Sequence, residues 1–150
     1  MIYIASDHAG YELKKELIKT IKNIELIDLG CNNRNSVDYP DYAHKLCSSI
    51  KTNKDKGVLI CGTGLGMSMV ANRYNHIRAA LIPPSTTNFS SNKDVSQVYT
   101  ELSRKHNNAN VLVLPGRFMC LEQAWKCIYV FLNTKFEEGR HKKRIDKISK

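Results

Sequence analysis

The sequence predicts an α/β protein: one Rossmann-like, doubly wound domain built on a five-stranded parallel sheet with helices on both faces. Three observations lead there. Short apolar runs alternate with amphipathic stretches along all 150 residues. Val58, Leu59 and Ile60 form a run too brief and too β-branched for a surface helix, as expected of a strand covered on both sides. That run stops at Cys61, turns through Gly62, Gly64 and Gly66, and re-enters a helical pattern.

The elements follow in order. Ile2 to Ala5 is a strand, and Ser6-Asp7-His8-Ala9-Gly10 a strand-to-helix turn. Leu13, Leu17, Ile18 and Ile21 give the first helix one apolar face, with charged residues on the others. Leu26 to Leu29 is a second strand, closed by Gly30. Pro40 then opens a helix whose inner face is Ala43, Leu46, Cys47 and Ile50. The central strand, turn and helix come next, followed by a fourth strand at Ile77 to Ile82 and a fifth at Asn110 to Leu114. Between these two lie the polar, turn-rich residues 83–94, expected to form an exposed loop insertion, and a short helix near Val95 to Lys105. Leu121, Ala124, Trp125, Ile128 and Leu132 mark a late helix by spacings of three and four.

Composition narrows the function classes. With 42% hydrophobic residues the chain suits one domain spanning 1–150, with a sizeable core. No run approaches the roughly 18 apolar residues of a membrane span, so no membrane partner is expected. Met1-Ile-Tyr-Ile-Ala-Ser lacks the features of a signal peptide, which makes cytoplasmic localisation the expectation. The five cysteines show no Cys-x-x-Cys pair, so reduced thiols are expected, with neither disulfides nor a cysteine zinc site. A net charge of +9 raises nucleic acid as a partner, but seven of the basic side chains fall in Lys135 to Lys150, and no zinc-finger or aromatic RNA-binding pattern is present. A general positive field equally attracts a small phosphorylated substrate.

The glycine-rich turn carries most of the functional information. Its glycines admit backbone angles closed to other residues, and the N–H groups opening the next helix favour a phosphate or an oxyanion. A turn of this kind also serves merely to reverse the chain. A dinucleotide site would need Gly-x-Gly-x-x-Gly with an acidic residue roughly 20 positions on, and a nucleoside triphosphate loop would end in Gly-Lys-Ser/Thr. Met67 occupies the last glycine position of the first pattern, and the second is missing. A small anionic ligand is therefore the expectation.

Ligands of doubly wound sheets sit beyond the carboxyl ends of the strands. The turns after strands one, three and five hold Asp7-His8, Cys61 to Gly66, and Gly116-Arg117. His106-Asn107, in the turn entering strand five, would lie at the opposite edge of the same sheet. If His106 shares a site with Cys61 it comes from a second copy of the chain, which predicts a symmetric dimer with a composite site.

Taken together, Ser6-Asp-His-Ala-Gly10, Asp38-Tyr-Pro-Asp-Tyr42, Cys61-Gly-Thr-Gly-Leu-Gly-Met-Ser68, Ile77-Arg-Ala-Ala80, His106-Asn-Asn-Ala-Asn110 and Gly139-Arg-His-Lys-Lys-Arg144 resemble the type B ribose-5-phosphate isomerases, a family that also contains galactose-6-phosphate isomerase subunits. The resemblance spans nearly the whole chain, in order. It implies aldose–ketose isomerisation, ribose 5-phosphate to ribulose 5-phosphate in the non-oxidative branch of the pentose phosphate pathway, through a cis-enediolate and without metal or organic cofactor. It assigns the base to Cys61, since Met67, where some relatives carry a glutamate, takes no proton. His106 would open the sugar ring as proton donor. The amides from Gly62 to Gly66, with Gly64 and Leu65 between them, would hold the enediolate oxygens, helped by the Thr63 hydroxyl.

The same resemblance gives Asp7, Asn107, Tyr42 and Ser68 to substrate binding. It gives the phosphate to His8, Arg140 and Arg144, with Arg117 reaching in from the neighbouring subunit of a homodimer or of a dimer of dimers. Arg140 and Arg144 are four apart and share a helix face, an arrangement suited to two guanidinium forks on one phosphate. His44, His76 and Arg104 are expected to be surface residues. Galactose-6-phosphate isomerisation and non-catalytic sugar-phosphate binding are the alternatives, since pocket depth sets substrate length and a sensor would need no base at Cys61.

Overall fold

In the computed structural model, which describes residues 1–84 and 94–148, Ile2–Ser6 (β1), Leu26–Asp28 (β2), Lys56–Cys61 (β3), Ala79–Leu81 (β4) and Val111–Pro115 (β5) form one parallel sheet of order β2-β1-β3-β5-β4. The five strands and the doubly wound architecture match the sequence expectation. Strand bounds differ modestly. The fourth strand holds only three residues, and just before it Asn110 Oδ1 takes the amide of Arg78. Pro115 extends the fifth, paired with Cys61.

Strand alternation sends successive side chains to opposite faces. Ile4, Val58, Ile60, Leu112 and Leu114 point to one layer, where they meet Leu13 and Leu17 of Tyr11–Thr20 (α1) and Ala124, Cys127, Ile128 and Phe131 of Leu121–Asn133 (α5). Ala5, Leu59, Cys61, Val111 and Val113 point to the other, against Ala43, Leu46 and Cys47 of Tyr39–Ser49 (α2) and Met67 and Ala71 of Leu65–Ala71 (α3). Cys47 is sealed in this second layer, and burial pushes its thiol up to about 12, so it serves as an apolar filler. Lys14 is buried on α1 but satisfied by Asp28 at the end of β2, which ties helix to strand.

The remaining helices are Val95–Asn107 (α4) and Arg140–Ile145 (α6). Asp94 caps α4 by accepting the amide of Ser96 at 3.0 Å. Residues 85–93, most of the expected loop insertion, lie outside the described residues. Arg104, expected at the surface, is buried. Its Nη1 donates to Asn108 Oδ1 at 2.9 Å and to the Ala109 carbonyl at 2.6 Å, its Nε to the Thr134 carbonyl, and its guanidinium carbon lies 5.6 Å from the centre of the Phe131 ring. A buried cation persists here because the carbonyls ending α4 and α5 give its donors partners.

Candidate active site

The chain runs from β1 outward to β2 and then back to β3 on the other side, so the order of winding reverses between the parallel strands β1 and β3. That is where a doubly wound sheet opens a crevice at its carboxyl edge. Backbone bonds knit the three turns of this edge together. The amide of Asp7 donates to the Ile60 carbonyl at 3.2 Å, that of Gly116 to Cys61 at 2.8 Å, and that of Arg117 to Gly62 at 3.1 Å. The turns singled out after strands one, three and five thus form one surface.

Cys61 ends β3 with 5% of its surface exposed. Gly64, at φ +78°, caps α3 and aims its amide back at the sulfur, with N···Sγ at 3.1 Å. A side chain there would sit in the left-handed region and meet Leu81 Cδ1. Burial pushes the Cys61 thiol up. The backbone amides of Met67, Gly64 and Thr63 pull the other way, and the Asp7 carboxylate adds to the rise. The thiolate stabilisation expected from a helix N-terminus is present but outweighed within one chain.

Around the sulfur, Thr63 is exposed and its Oγ1 accepts the amide of Leu65 at 3.3 Å, while the Ser68 hydroxyl donates to the Leu65 carbonyl at 2.7 Å. Of the amides expected to hold an oxyanion, those of Gly64 and Leu65 therefore already have partners inside the turn. Asp7 is buried, and its Oδ1 accepts the amides of Ala9 and Gly10 at 3.0 Å each, shaping the turn into α1. His8 Nδ1 accepts the amide of Val37 at 3.2 Å, so in the neutral ring the proton sits on Nε2, leaving a donor for an anion. Tyr42 lies against Gly30. Tyr39, which sequence reasoning did not single out, lays its ring edge 2.6 Å from where a Cβ on Gly66 would stand. Its place in Asp38 to Tyr42, beside a glycine-rich turn that must face something, was the available signal.

His106 and Asn107 stand elsewhere. They belong to the last turn of α4 rather than to a free loop, and α4 delivers the chain to the amino end of β5. β3 and β5 run parallel with Gly57 opposite Val111 and Cys61 opposite Pro115, so about 13 Å of strand rise separates the two ends. Arg144 lines a cavity of about 410 Å³ with His106, Asn107 and His141. Arg140 opens the same helix, exposed, one turn before Arg144. The His106 ring stacks on His141 at 4.2 Å and 8°, and Glu137 Oε2 lies 3.8 Å from Nε2 of each.

The arginines fall at different ends of the sheet. Arg117 stands at the Cys61 edge of its own chain, its guanidinium carbon 3.3 Å from the Cβ position of Gly62. Arg140 and Arg144, grouped with His8 in the sequence reading, stand instead with His106 at the opposite end. The physical reason is topological. α6 packs on α4, and α4 ends where β5 begins.

A model of the ribose/galactose isomerase family matches residues 2–148. The chain belongs to this family. A probable ribose-5-phosphate isomerase B of Mycoplasma genitalium is 44% identical over 98% of the chain and 92% of that protein. Among solved structures, a ribose 5-phosphate isomerase of Thermotoga maritima is similar at 48% identity and TM-score 0.87, covering 99% of this chain and 96% of that one. The M. genitalium ribose-5-phosphate isomerase B with bound ribulose 5-phosphate is similar at 40% identity and TM-score 0.84, covering 98% of this chain and 92% of that one. The recognition made from the motifs is thereby borne out at the level of the family. No helix among the described residues is long and apolar enough to cross a membrane.

Proposed function

We propose that this chain interconverts ribose 5-phosphate and ribulose 5-phosphate, as a homodimer in the cytoplasm, in the non-oxidative pentose phosphate branch. The observation that carries the proposal is Cys61 at the switch point, in a sugar-phosphate isomerase family where a relative 40% identical over nearly the whole chain holds ribulose 5-phosphate. In this scheme a protonated His106, supplied by the partner chain, gives its proton to the ring oxygen as the bond from C1 to that oxygen breaks, and the anomeric hydroxyl loses its proton to water, leaving the open-chain aldehyde. The Cys61 thiolate then takes the proton from C2, and the electron pair moves onto the carbonyl oxygen to give the cis-enediolate. Transfer of the O2 hydroxyl proton to O1 and return of the carbon-bound proton to C1 complete the ketose, and no electrons leave the substrate.

Amides at the start of α3 and the Thr63 hydroxyl stabilise the enediolate, a type of contact worth roughly 2.7–4 kcal/mol per donor in other enzymes. His8 Nε2 and Arg117 hold the phosphate from the Cys61 side, and Arg140 and Arg144 close over it from the partner. Asp7, Tyr42, Ser68 and Asn107 line the sugar.

Following ketose absorbance with ribose 5-phosphate and with galactose 6-phosphate tests the reading. Turnover of the pentose is expected, together with a loss of at least about a hundredfold in kcat for Cys61→Ala. Turnover of the hexose alone would move the chain to the galactose branch of the family. Binding of both sugars without turnover would make it a sugar-phosphate sensor.

A further inference from the structure

His106 stands in a cluster with His141 and Glu137, two residues to which the isomerisation scheme gives no role. One ring nitrogen each of His106 and His141 and a carboxylate oxygen of Glu137 lie within 4.8 Å of one another, and Glu137 Oε2 stands 3.8 Å from Nε2 of each imidazole. Three separate segments bring them there: the end of α4, the link before α6, and α6 itself. The link is anchored by the Glu137 amide, which donates to the Lys105 carbonyl at 3.1 Å, and Lys105 Nζ stands near Oε1 at 3.9 Å. The other oxygen, Oε2, is left facing the two rings.

We propose that His106, His141 and Glu137 bind a divalent transition-metal ion of the zinc class, and that the bound ion inhibits the enzyme by taking His106 Nε2 out of use. Two imidazoles and a carboxylate are a donor set suited to Zn²⁺, with a fourth position open to water. Ligands bonded at about 2.0–2.1 Å in a tetrahedron stand about 3.4 Å apart, so the 3.8 Å contacts need to close by only a few tenths of an ångström. One larger adjustment is required. A nitrogen lone pair lies in its ring plane, so two stacked rings do not aim at one ion. The His106 ring, 38% exposed, has room to swing off the face of His141, whereas His141, 9% exposed, stays fixed. Metal binding therefore opens the stack.

Binding does not depend on the catalytic role proposed for His106, but the inhibition does, and the experiment separates the two. Zn²⁺ alone is titrated calorimetrically into the full-length protein carrying Cys120→Ser, which removes the exposed thiol. One ion per chain is expected. Glu137→Gln, His141→Gln and His106→Ala should each weaken binding by at least about tenfold. Glu137 is exposed, so its variant reports even if a change at buried His141 unfolds the helix. Initial rates on ribose 5-phosphate should fall in step with occupancy, and Glu137→Gln should shift the half-inhibiting Zn²⁺ concentration by the same factor as its dissociation constant. No binding, or binding equally tight in Glu137→Gln, overturns the site. Inhibition that survives Glu137→Gln assigns it to the Cys61 thiol instead and also overturns the proposal. Binding at these three residues with full activity at saturation leaves the metal site standing and refutes both the inhibition and the ring-opening role of His106.

Discussion

Subunit complementation follows from the division of site residues between the two ends of the sheet. About 13 Å of β5 lies between the end that carries Cys61, His8 and Arg117 and the end that carries His106, Arg140 and Arg144. If each working site joins one end of one chain to the other end of its partner, Cys61→Ala and His106→Ala proteins are each nearly inactive on the ring-closed sugar. Mixed and allowed to exchange, they give heterodimers in half of all pairings, with both lesions in one site and none in the other. The yield is one intact site in two for half the dimers, roughly a quarter of wild-type activity per chain. Cys61→Ala paired with Arg144→Ala should rise likewise. Cys61→Ala paired with Arg117→Ala should not rise above the mean of its parents, because Arg117 lies against Gly62 of the same chain and every mixed dimer has one lesion per site. The assay is ketose formation from ribose 5-phosphate, with exchange verified by a size-tagged chain. Exchange without recovery in the first two mixtures, or recovery in the third, would refute the assignment of residues to ends.

Three further outcomes can be measured. Because burial raises the Cys61 thiol above its ordinary 9.0, thiolate is the minor form at neutrality, so kcat/KM for ribulose 5-phosphate, an open chain that needs no ring-opening acid, should rise with pH between about pH 7 and 9; a flat profile with that substrate would mean that Cys61 is not the base. Gly64→Ala should cost about 1–2 kcal/mol in denaturant unfolding, since alanine at φ +78° is strained, and should lower kcat as the amide moves off the sulfur; unchanged stability would show that the turn readily adopts another conformation. Asp28→Ala leaves Lys14 buried without its carboxylate, and about 3 kcal/mol of stability should be lost, much of it restored by Lys14→Met in the same chain; a stable single variant would mean that Lys14 swings out to water.

The fold was legible because its signals are local. Val58 to Ile60, the glycines after Cys61, and the three-and-four spacing in α5 each state an element within one short window, and parallel alternation leaves few topologies. Hence the five strands, both layers of the core and the turns carrying Asp7, His8, Cys61 and Arg117 could be read before the structure, and the ordered motifs named the family. The remainder depends on contacts distant in sequence. Arg104 reads as one more surface cation on an amphipathic helix, and only the meeting of the ends of α4 and α5 buries it and gives its donors carbonyl partners. Tyr39 reads as a residue beside a proline until α2 lays it over Gly66. Whether an arginine shares an end with Cys61 or with His106 depends on how α6 docks on α4 and where β5 lies in the sheet. The spacing of Arg140 and Arg144 settles which helix face they share, because that is a local repeat of the backbone. Which end of the sheet that face serves was decided by packing between segments that the sequence keeps far apart.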